Sequence, residues 1–497
     1  RTRLVANSKL PGLFGKQERP DLLVYLSALT ETGPKARAGL LDLAKILQLK
    51  TVSNPDYKPV LIVVSAMGGR FGHDFKDESA QNVSSQASIA GMTKTIAREL
   101  SNLRTFYMDI DSKEAKSNAQ DLAIMIAARA AFEGRDCIEY GYRAGRQSAL
   151  SIVEAPFVKQ DSHGEALSIN KSSLILVTGG ARGITAEITD AVARRYGSNF
   201  VIVGRAERPG SESAHTKGLI SAREIKAAMM DELRRQGRKF NIAIVERLYQ
   251  KLLKEREIRV NLARIEEHAA SVRYHSLDVR DEKAFAELIG SLYDFYGNID
   301  GVIHGAGVIE DAFIQNKTIE SFDRVFDTKV TSLLTMAGKL RLDTLKFLYV
   351  FSSVVGRTGN PGQIDYVAAN ETLNKLALYL DKRTEARVAS LMWGPWRAGM
   401  APPELEDVFA SFGWAMIEPD DGCDTFLLEL EQGRKGDVEI MLVGESVTVS
   451  GSVESYQVTG PIVSPGSIES KTPFQVAVQI DRAQHIYLED HKLDDMP

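Results

Sequence analysis

The nine residues Val177–Thr185, reading VTGGARGIT, constrain this chain more than any other feature. They follow the apolar run Ser173–Val177 and open an amphipathic stretch that reaches Arg195. A strand that ends in a glycine turn and feeds a helix suits phosphate binding. Glycines let backbone amides approach a pyrophosphate, and the positive end of the helix faces it. Such a turn works inside a parallel sheet with crossover helices, and the following sequence supplies one. Phe200–Val203, Ser271–Leu277, Gly301–His304, Lys346–Phe351 and Arg387–Trp393 read as further strands, with helical spacings between them.

The first 165 residues carry the same alternation. Leu22–Leu26, Val60–Ala66 and Thr105–Ile110 are predicted strands, while Lys35–Leu49, Gln86–Leu100 and Asp121–Phe132 are predicted helices. Glu139–Leu150 reads as a strand pair and Val153–Gly164 as a polar connector. The halves also echo one another. Val63–Gly72 (VVSAMGGRFG) matches Val350–Gly359 (VFSSVVGRTG), and Arg104–Ile110 matches Arg387–Trp393 at a similar offset. In that alignment Ser353 meets Ala66 and Tyr366 meets Ser79, so the first half keeps the framework and loses whatever the serine and tyrosine do. The expected fold is α/β, with two Rossmann-like parallel-sheet subdomains. A degenerate structural half over 1–165 precedes a catalytic half over 166–450, and 451–497 form a linker and tail. Residues 207–266 are heavily charged at helical spacings and read as a solvated helical insertion.

Composition excludes some classes of function. Lys+Arg 61 against Asp+Glu 66 gives a net charge of −5, which offers no basic excess for nucleic acid or an anionic membrane. Two cysteines, Cys137 and Cys423, make no disulfide framework and no zinc cluster. No apolar run approaches the ~18 residues needed to span a bilayer. The chain reads as a cytosolic piece of something larger.

Charge near the glycine turn bears on the cofactor. The strand after the turn ends in Gly204-Arg205, where an NAD site usually places an acid. A guanidinium there suits a 2′-phosphate, and Arg182 inside the turn adds positive charge, so NADPH is favoured. Asp278-Val279 ends a strand where an adenine could rest, and Gly305-Ala306-Gly307 lets the backbone crowd against a ribose or nicotinamide. His304, on a buried strand end, reads as structural. Beyond the turn come Lys329, Ser353 and Tyr366, with thirteen residues from the serine to the tyrosine. Reducing a ketone needs a proton on oxygen as hydride reaches carbon. A phenol can supply it, an ammonium can stabilise the phenolate, and a serine hydroxyl can hold the carbonyl oxygen.

These residues resemble the short-chain dehydrogenase/reductase family, and more closely the ketoreductase domains of polyketide and fatty acid synthases. The likeness covers about residues 15–450 and includes HGAGV, FSSVVGRTGNPGQIDYVAAN, SLMWGPWRAGM and, in the first half, GMTKTIAREL and EYGYRAGR. Most short-chain reductases place a lysine four residues after the tyrosine; this chain has Asn370 there and its lysine at 329, the exchange that synthase ketoreductases carry. The resemblance implies a catalytic set of Tyr366, Ser353, Lys329 and Asn370. It implies an NADPH site lined by Thr178, Gly179, Gly180, Gly183, Ile184 and Arg205, with Asp278 and Val279 near adenine. The implied substrate is a β-ketoacyl thioester on the phosphopantetheine arm of an acyl carrier protein. Glu310-Asp311 is similar to the Leu-Asp-Asp signature of ketoreductases that form a D-hydroxyl, with Ile309 and Glu310 departing from it. Trp393–Met400 is expected to form part of the wall and lid over the acyl chain.

From Gly451 the chain becomes rich in Ser, Gly and Pro, then Phe474–Ile480 alternates like a strand. Ile486–His491 resembles the start of a hot-dog dehydratase, with only that beginning present; a disordered or strand-swapped tail is the alternative. Two other readings of the whole stay open at this point: a non-catalytic scaffold domain of a synthase, and a free-standing reductase of a small soluble ketone.

Overall fold

A computed structural model describes residues 21–26, 29, 31, 33–75, 78–111, 113, 119–131, 138–144, 146–152, 167–397, 415–444, 468–472 and 475–481. The first half runs β1 (Leu22–Tyr25), α1 (Gly33–Ser53), β2 (Val60–Ser65), α2 (Ala80–Glu99), β3 (Arg104–Ile110), α3 (Ala119–Ala131), β4 (Glu139–Arg143) and β5 (Arg146–Ile152). Strands β1 to β4 pair in parallel, and β5 folds back antiparallel on β4. β2 reads VLIVVS with every residue buried, as a parallel strand covered on both faces requires. Helix α2 starts earlier than the apolar spacing predicts, because Ser79 caps it by accepting the Asn82 N–H.

The second half runs β6 (Leu174–Thr178), α4 (Gly183–Tyr196), β7 (Asn199–Gly204), α5 (Ala222–Arg235), α6 (Ile242–His268), β8 (Ser271–Ser276), α7 (Glu282–Tyr296) and β9 (Gly301–His304). It continues with α8 (Ile319–Ala337), β10 (Phe347–Ser353), α9 (Val355–Thr358), α10 (Ile364–Asp381), β11 (Arg387–Trp393), α11 (Pro419–Gln432) and β12 (Glu439–Leu442). All its strands are parallel, in the order β12-β11-β10-β9-β6-β7-β8. The chain builds outward from β6 to β8 and then returns to β6's other side with β9. A crevice therefore opens at the carboxyl ends of β6 and β9, where the direction of winding reverses. β12 was not foreseen, since four residues headed by a glutamate give little alternation to read.

The internal echo has a structural counterpart. Strands β1-β2-β3-β4 follow one another as β9-β10-β11-β12 do. Among the described residues the first half has nothing corresponding to β6, α4, β7 and β8, the elements that carry the glycine turn. Its sheet is extended instead by the tail. β13 (Ile468–Thr472) and β14 (Gln475–Asp481) pair with each other, and β14 lies antiparallel to β5 from Gln475↔Ile152 to Asp481↔Arg146. The expected strand at Phe474–Ile480 thus exists, shifted by one residue, as an addition to the first sheet. The connector at Val153–Gly164 and the segment Ile486–His491 fall outside the described residues.

The halves meet where α2 crosses α10, its counterpart in the echo. At Gly91 a Cβ would lie 2.6 Å from Ala368 Cα, so the two helix backbones touch. Around this crossing six charges are buried together. Lys94 contacts Glu371 at 3.1 Å and Glu139 at 3.3 Å. Arg357 pairs with Glu139 and lies 3.5 Å from Glu371, and Lys375 reaches Glu439 at 2.7 Å. Three cations balance three carboxylates, which makes their burial tolerable. Lys94 also donates to the Gly356 carbonyl at 2.8 Å, tying the first half to the segment just after Ser353. Overpacking a close helix contact costs about 1–3 kcal/mol. Gly91→Leu is therefore expected to lower the urea midpoint, and an unchanged midpoint would show that the helices do not meet there.

Candidate active site

The site lies at the carboxyl ends of β6, β9 and β10. Gly179 follows β6 with φ +77°, a left-handed conformation natural to glycine, and a Cβ there would come 2.9 Å from the Gly305 carbonyl. Its N–H bonds to the Val203 carbonyl at 2.8 Å, and the Gly305 N–H bonds to Thr178 O at 3.0 Å, so the turn is stitched to both neighbouring strands. Gly180 is buried, while Gly183 and Ile184 at the start of α4 are partly exposed. A Cβ built on Gly183 meets nothing within 4 Å, which leaves open space above the helix's first turn. That space and the close backbone packing at the start of α4 fit a dinucleotide pyrophosphate.

His304 is structural. Its Nδ1 accepts from the Thr178 hydroxyl at 2.7 Å, its Nε2 donates to Lys329 O at 2.8 Å, and Thr178 Oγ1 in turn accepts the Ala306 N–H at 3.2 Å. Burial pushes the imidazole down to about 4, so it stays neutral. This chain of hydrogen bonds pins α8, and with it Lys329, to the glycine turn.

Lys329, Ser353, Tyr366 and Asn370 come together as predicted, from α8, the end of β10 and successive turns of α10. Lys329 is 4% exposed. Its Nζ donates to Phe351 O at 2.8 Å and lies 5.6 Å from the centre of the Tyr366 ring. Desolvation brings this ammonium down to about 8. Tyr366 interacts with the Ser353 hydroxyl and the Asn370 amide. Its pKa is raised, first by desolvation and further by the Asp311 carboxylate, with Asn370 and Ser353 opposing. Burial thus keeps Tyr366 protonated, the form a proton donor needs. Asn370 donates from Nδ2 to the Tyr366 backbone carbonyl at 2.8 Å, and its Oδ1 is buried with no hydrogen-bond partner.

Other predicted residues divide. Asp311 sits by α10, its Oδ2 accepting from Gln363 Nε2 at 2.9 Å. Glu310 instead turns onto α8, held by Arg324 at 2.8–2.9 Å and the Ser321 hydroxyl at 2.7 Å. The Arg324 hydrogen bond keeps this carboxyl well below its ordinary range, so an ion pair holds on α8 one of the two residues expected to direct stereochemistry. Trp393 is likewise corrected. Rather than forming a wall, its indole is 4% exposed and packs edge-on against Phe351 and Trp396 in the core. Met400 lies outside the described residues. Arg205 is exposed at the end of β7, and Asp278 is paired with Arg280 at 2.6 Å; Val279 and Ala306 are buried and Gly307 is exposed.

Several supporting residues were missed. Lys317 is fully buried, bonds Asp365 Oδ2 at 2.7 Å and donates to the Glu310 carbonyl; Asp365 Oδ1 accepts the Tyr366 N–H at 2.9 Å. Glu99, at the end of α2, accepts from Ile314 N at 2.6 Å and Gly362 N at 2.9 Å, clamping both loops that flank Tyr366. Glu99 falls within GMTKTIAREL, but nothing in its spacing names these partners. In the first half, the turn after β2 is closed on itself: Asp109 accepts from Met67 N at 2.5 Å and Phe71 N at 2.6 Å.

A nucleotide crevice beside a serine, tyrosine and lysine defines a reductase of the short-chain dehydrogenase fold. Residues 173–398 match the KR domain family, and this part of the chain belongs to it, as an oxidoreductase domain. The chain is 30% identical over 394 residues to a polyunsaturated fatty acid synthase of Thraustochytrium sp., covering 78% of this chain and 14% of that protein. It is 27% identical over 321 residues to polyketide synthase PksL of Bacillus subtilis, covering 63% of this chain and 6% of that protein. It therefore spans only a small part of these relatives' length. A ketoreductase domain from the bacillaene assembly line shares the fold, with TM-score 0.59, 22% identity and coverage of 84% of this chain and 85% of that one.

Carbonyl reduction through Tyr366 and Lys329, were it to run at this site, would require the lysine charged and the phenol protonated. Tyr366 titrates above its ordinary value, so the lysine, at about 8, is the first of the two to lose its proton as pH rises. The expected kcat/KM is level below that pH and falls through it with the slope of one proton. A profile still flat well above pH 8 would remove Lys329 from the mechanism.

Proposed function

We propose that this chain is the NADPH-dependent β-ketoacyl reductase domain of a multidomain polyketide or polyunsaturated fatty acid synthase. Its substrate is a β-ketoacyl thioester carried on the phosphopantetheine arm of an acyl carrier protein, and its product the D-β-hydroxyacyl thioester. The setting is cytoplasmic, beside neighbouring synthase domains that include a dehydratase. One observation carries the reading above all: the Lys329 ammonium lies 5.6 Å from the centre of the Tyr366 ring, whose hydroxyl interacts with Ser353 and Asn370, beside the glycine turn.

The turn Thr178–Ile184 would hold the pyrophosphate, with Arg205 and Arg182 near a 2′-phosphate and Asp278 and Val279 near the adenine. When bound, the nicotinamide supplies a hydride. The protein does the rest. Ser353 Oγ and the Tyr366 hydroxyl hold the ketone oxygen, polarising its carbon. Tyr366 gives its proton to that oxygen as the alkoxide forms. Lys329, fixed by the Phe351 carbonyl, stabilises the phenolate left behind. Asp311, beside α10, favours the D-hydroxyl.

General acid catalysis contributes about 10²–10⁴-fold in rate. Tyr366→Phe is expected to lose at least ~10²-fold in kcat with a β-ketoacyl pantetheine thioester and to keep NADPH binding. Near-normal turnover would assign the proton donor elsewhere.

A further inference from the structure

The sequence reads 207–266 as a solvated insertion, yet one stripe of α6 grips the cofactor turn. Glu257, Asn261 and Arg264 lie four and three residues apart, on one face of the helix. Glu257 Oε1 accepts the Gly183 N–H at 2.9 Å, and its Oε2 accepts from Arg182 Nε at 2.7 Å. Asn261 Nδ2 donates to Ala181 O at 3.1 Å, and Arg264 makes a two-pronged bond to Glu187 at 2.8 and 3.0 Å. Three consecutive residues of the glycine turn are thus held from the insertion.

The Glu257 contacts stand apart from the other two. Arg182, the N-cap residue of α4, makes no side-chain capping bond. An amide at the first turn of this helix and a guanidinium in the turn are the groups that bind phosphate in a fold of this kind. Here one carboxylate takes both. We propose that Glu257 is an internal phosphate mimic: it holds the cofactor turn in shape while the crevice is empty, and an incoming dinucleotide must displace it. The insertion thereby sets how tightly cofactor binds. Displacement is possible because Glu257 and Arg182 are partly exposed, at 34% and 46% of their side chains, while Asn261 and Arg264 keep α6 docked. This inference rests on the proposed dinucleotide site and adds its regulation.

The test is Glu257→Gln, which keeps the shape and removes the charge. Titrating NADPH fluorescence should give a dissociation constant roughly five- to tenfold lower for the variant, because a neutral amide competes less well for cationic donors. NADH should tighten similarly, since both dinucleotides carry the pyrophosphate. The cofactor-free variant should melt about 1–3 °C lower, having lost a charged cap, and gain more from added NADPH. Glu257→Ala should shift binding in the same direction. An unchanged or weaker affinity in both variants, with the wild type binding normally, overturns the mimic. Failure of the wild type and both variants to bind either dinucleotide overturns the proposed function itself, and this inference with it.

Discussion

A buried ammonium with a single backbone partner is the constraint on which the site depends. Lys329 gives one hydrogen bond to the Phe351 carbonyl, and among the described residues no neighbouring carboxylate compensates its loss of water. That environment holds its affinity for a proton down and leaves its charge unspent, available to a phenolate when one forms. An ion pair in the same place would have neutralised it. The phenol, raised by the same desolvation, keeps its proton until the chemistry takes it. Burial thus drives the two groups apart in proton affinity, so that the lysine is the first to lose its proton as pH rises and the phenol holds its own.

Holding them in register takes both halves of the chain. From below, His304 ties α8 to the strand that carries the glycine turn. From the side, α2 meets α10 backbone to backbone at Gly91, and Glu99 reaches past it to hold the loops on either side of Tyr366. The first half lacks a counterpart to the glycine turn among its described residues, and Asp109 fills the turn where its own reactive serine would stand. It acts as the second protomer of a dimer would, presenting helix against matching helix within a single chain.

The sequence made the strands legible where apolar runs were long and flanked by turns, so β9 and β11 appear at their predicted bounds. That Lys329, Ser353 and Tyr366 would meet was legible because their residue types and order describe one piece of chemistry, and Asn370 came with the family resemblance. Long-range polar contacts were not. Nothing in local spacing could say that Glu310 would be drawn onto Arg324, that Trp393 would turn inward, or that Glu257 would cross from a charged insertion to cap α4. In each case an ion pair or a large apolar surface chose its partner from a distant part of the chain, which periodicity does not record.

The most direct test of the account is turnover itself: the purified chain, a synthetic β-ketoacyl pantetheine thioester, and NADPH or NADH followed by absorbance, with chiral chromatography of the product. The account predicts oxidation of NADPH in preference to NADH, matched mole for mole by D-β-hydroxyacyl thioester. If thioester and cofactor both remain unconsumed, a carbonyl-reducing role for the Lys329 and Tyr366 pair is contradicted.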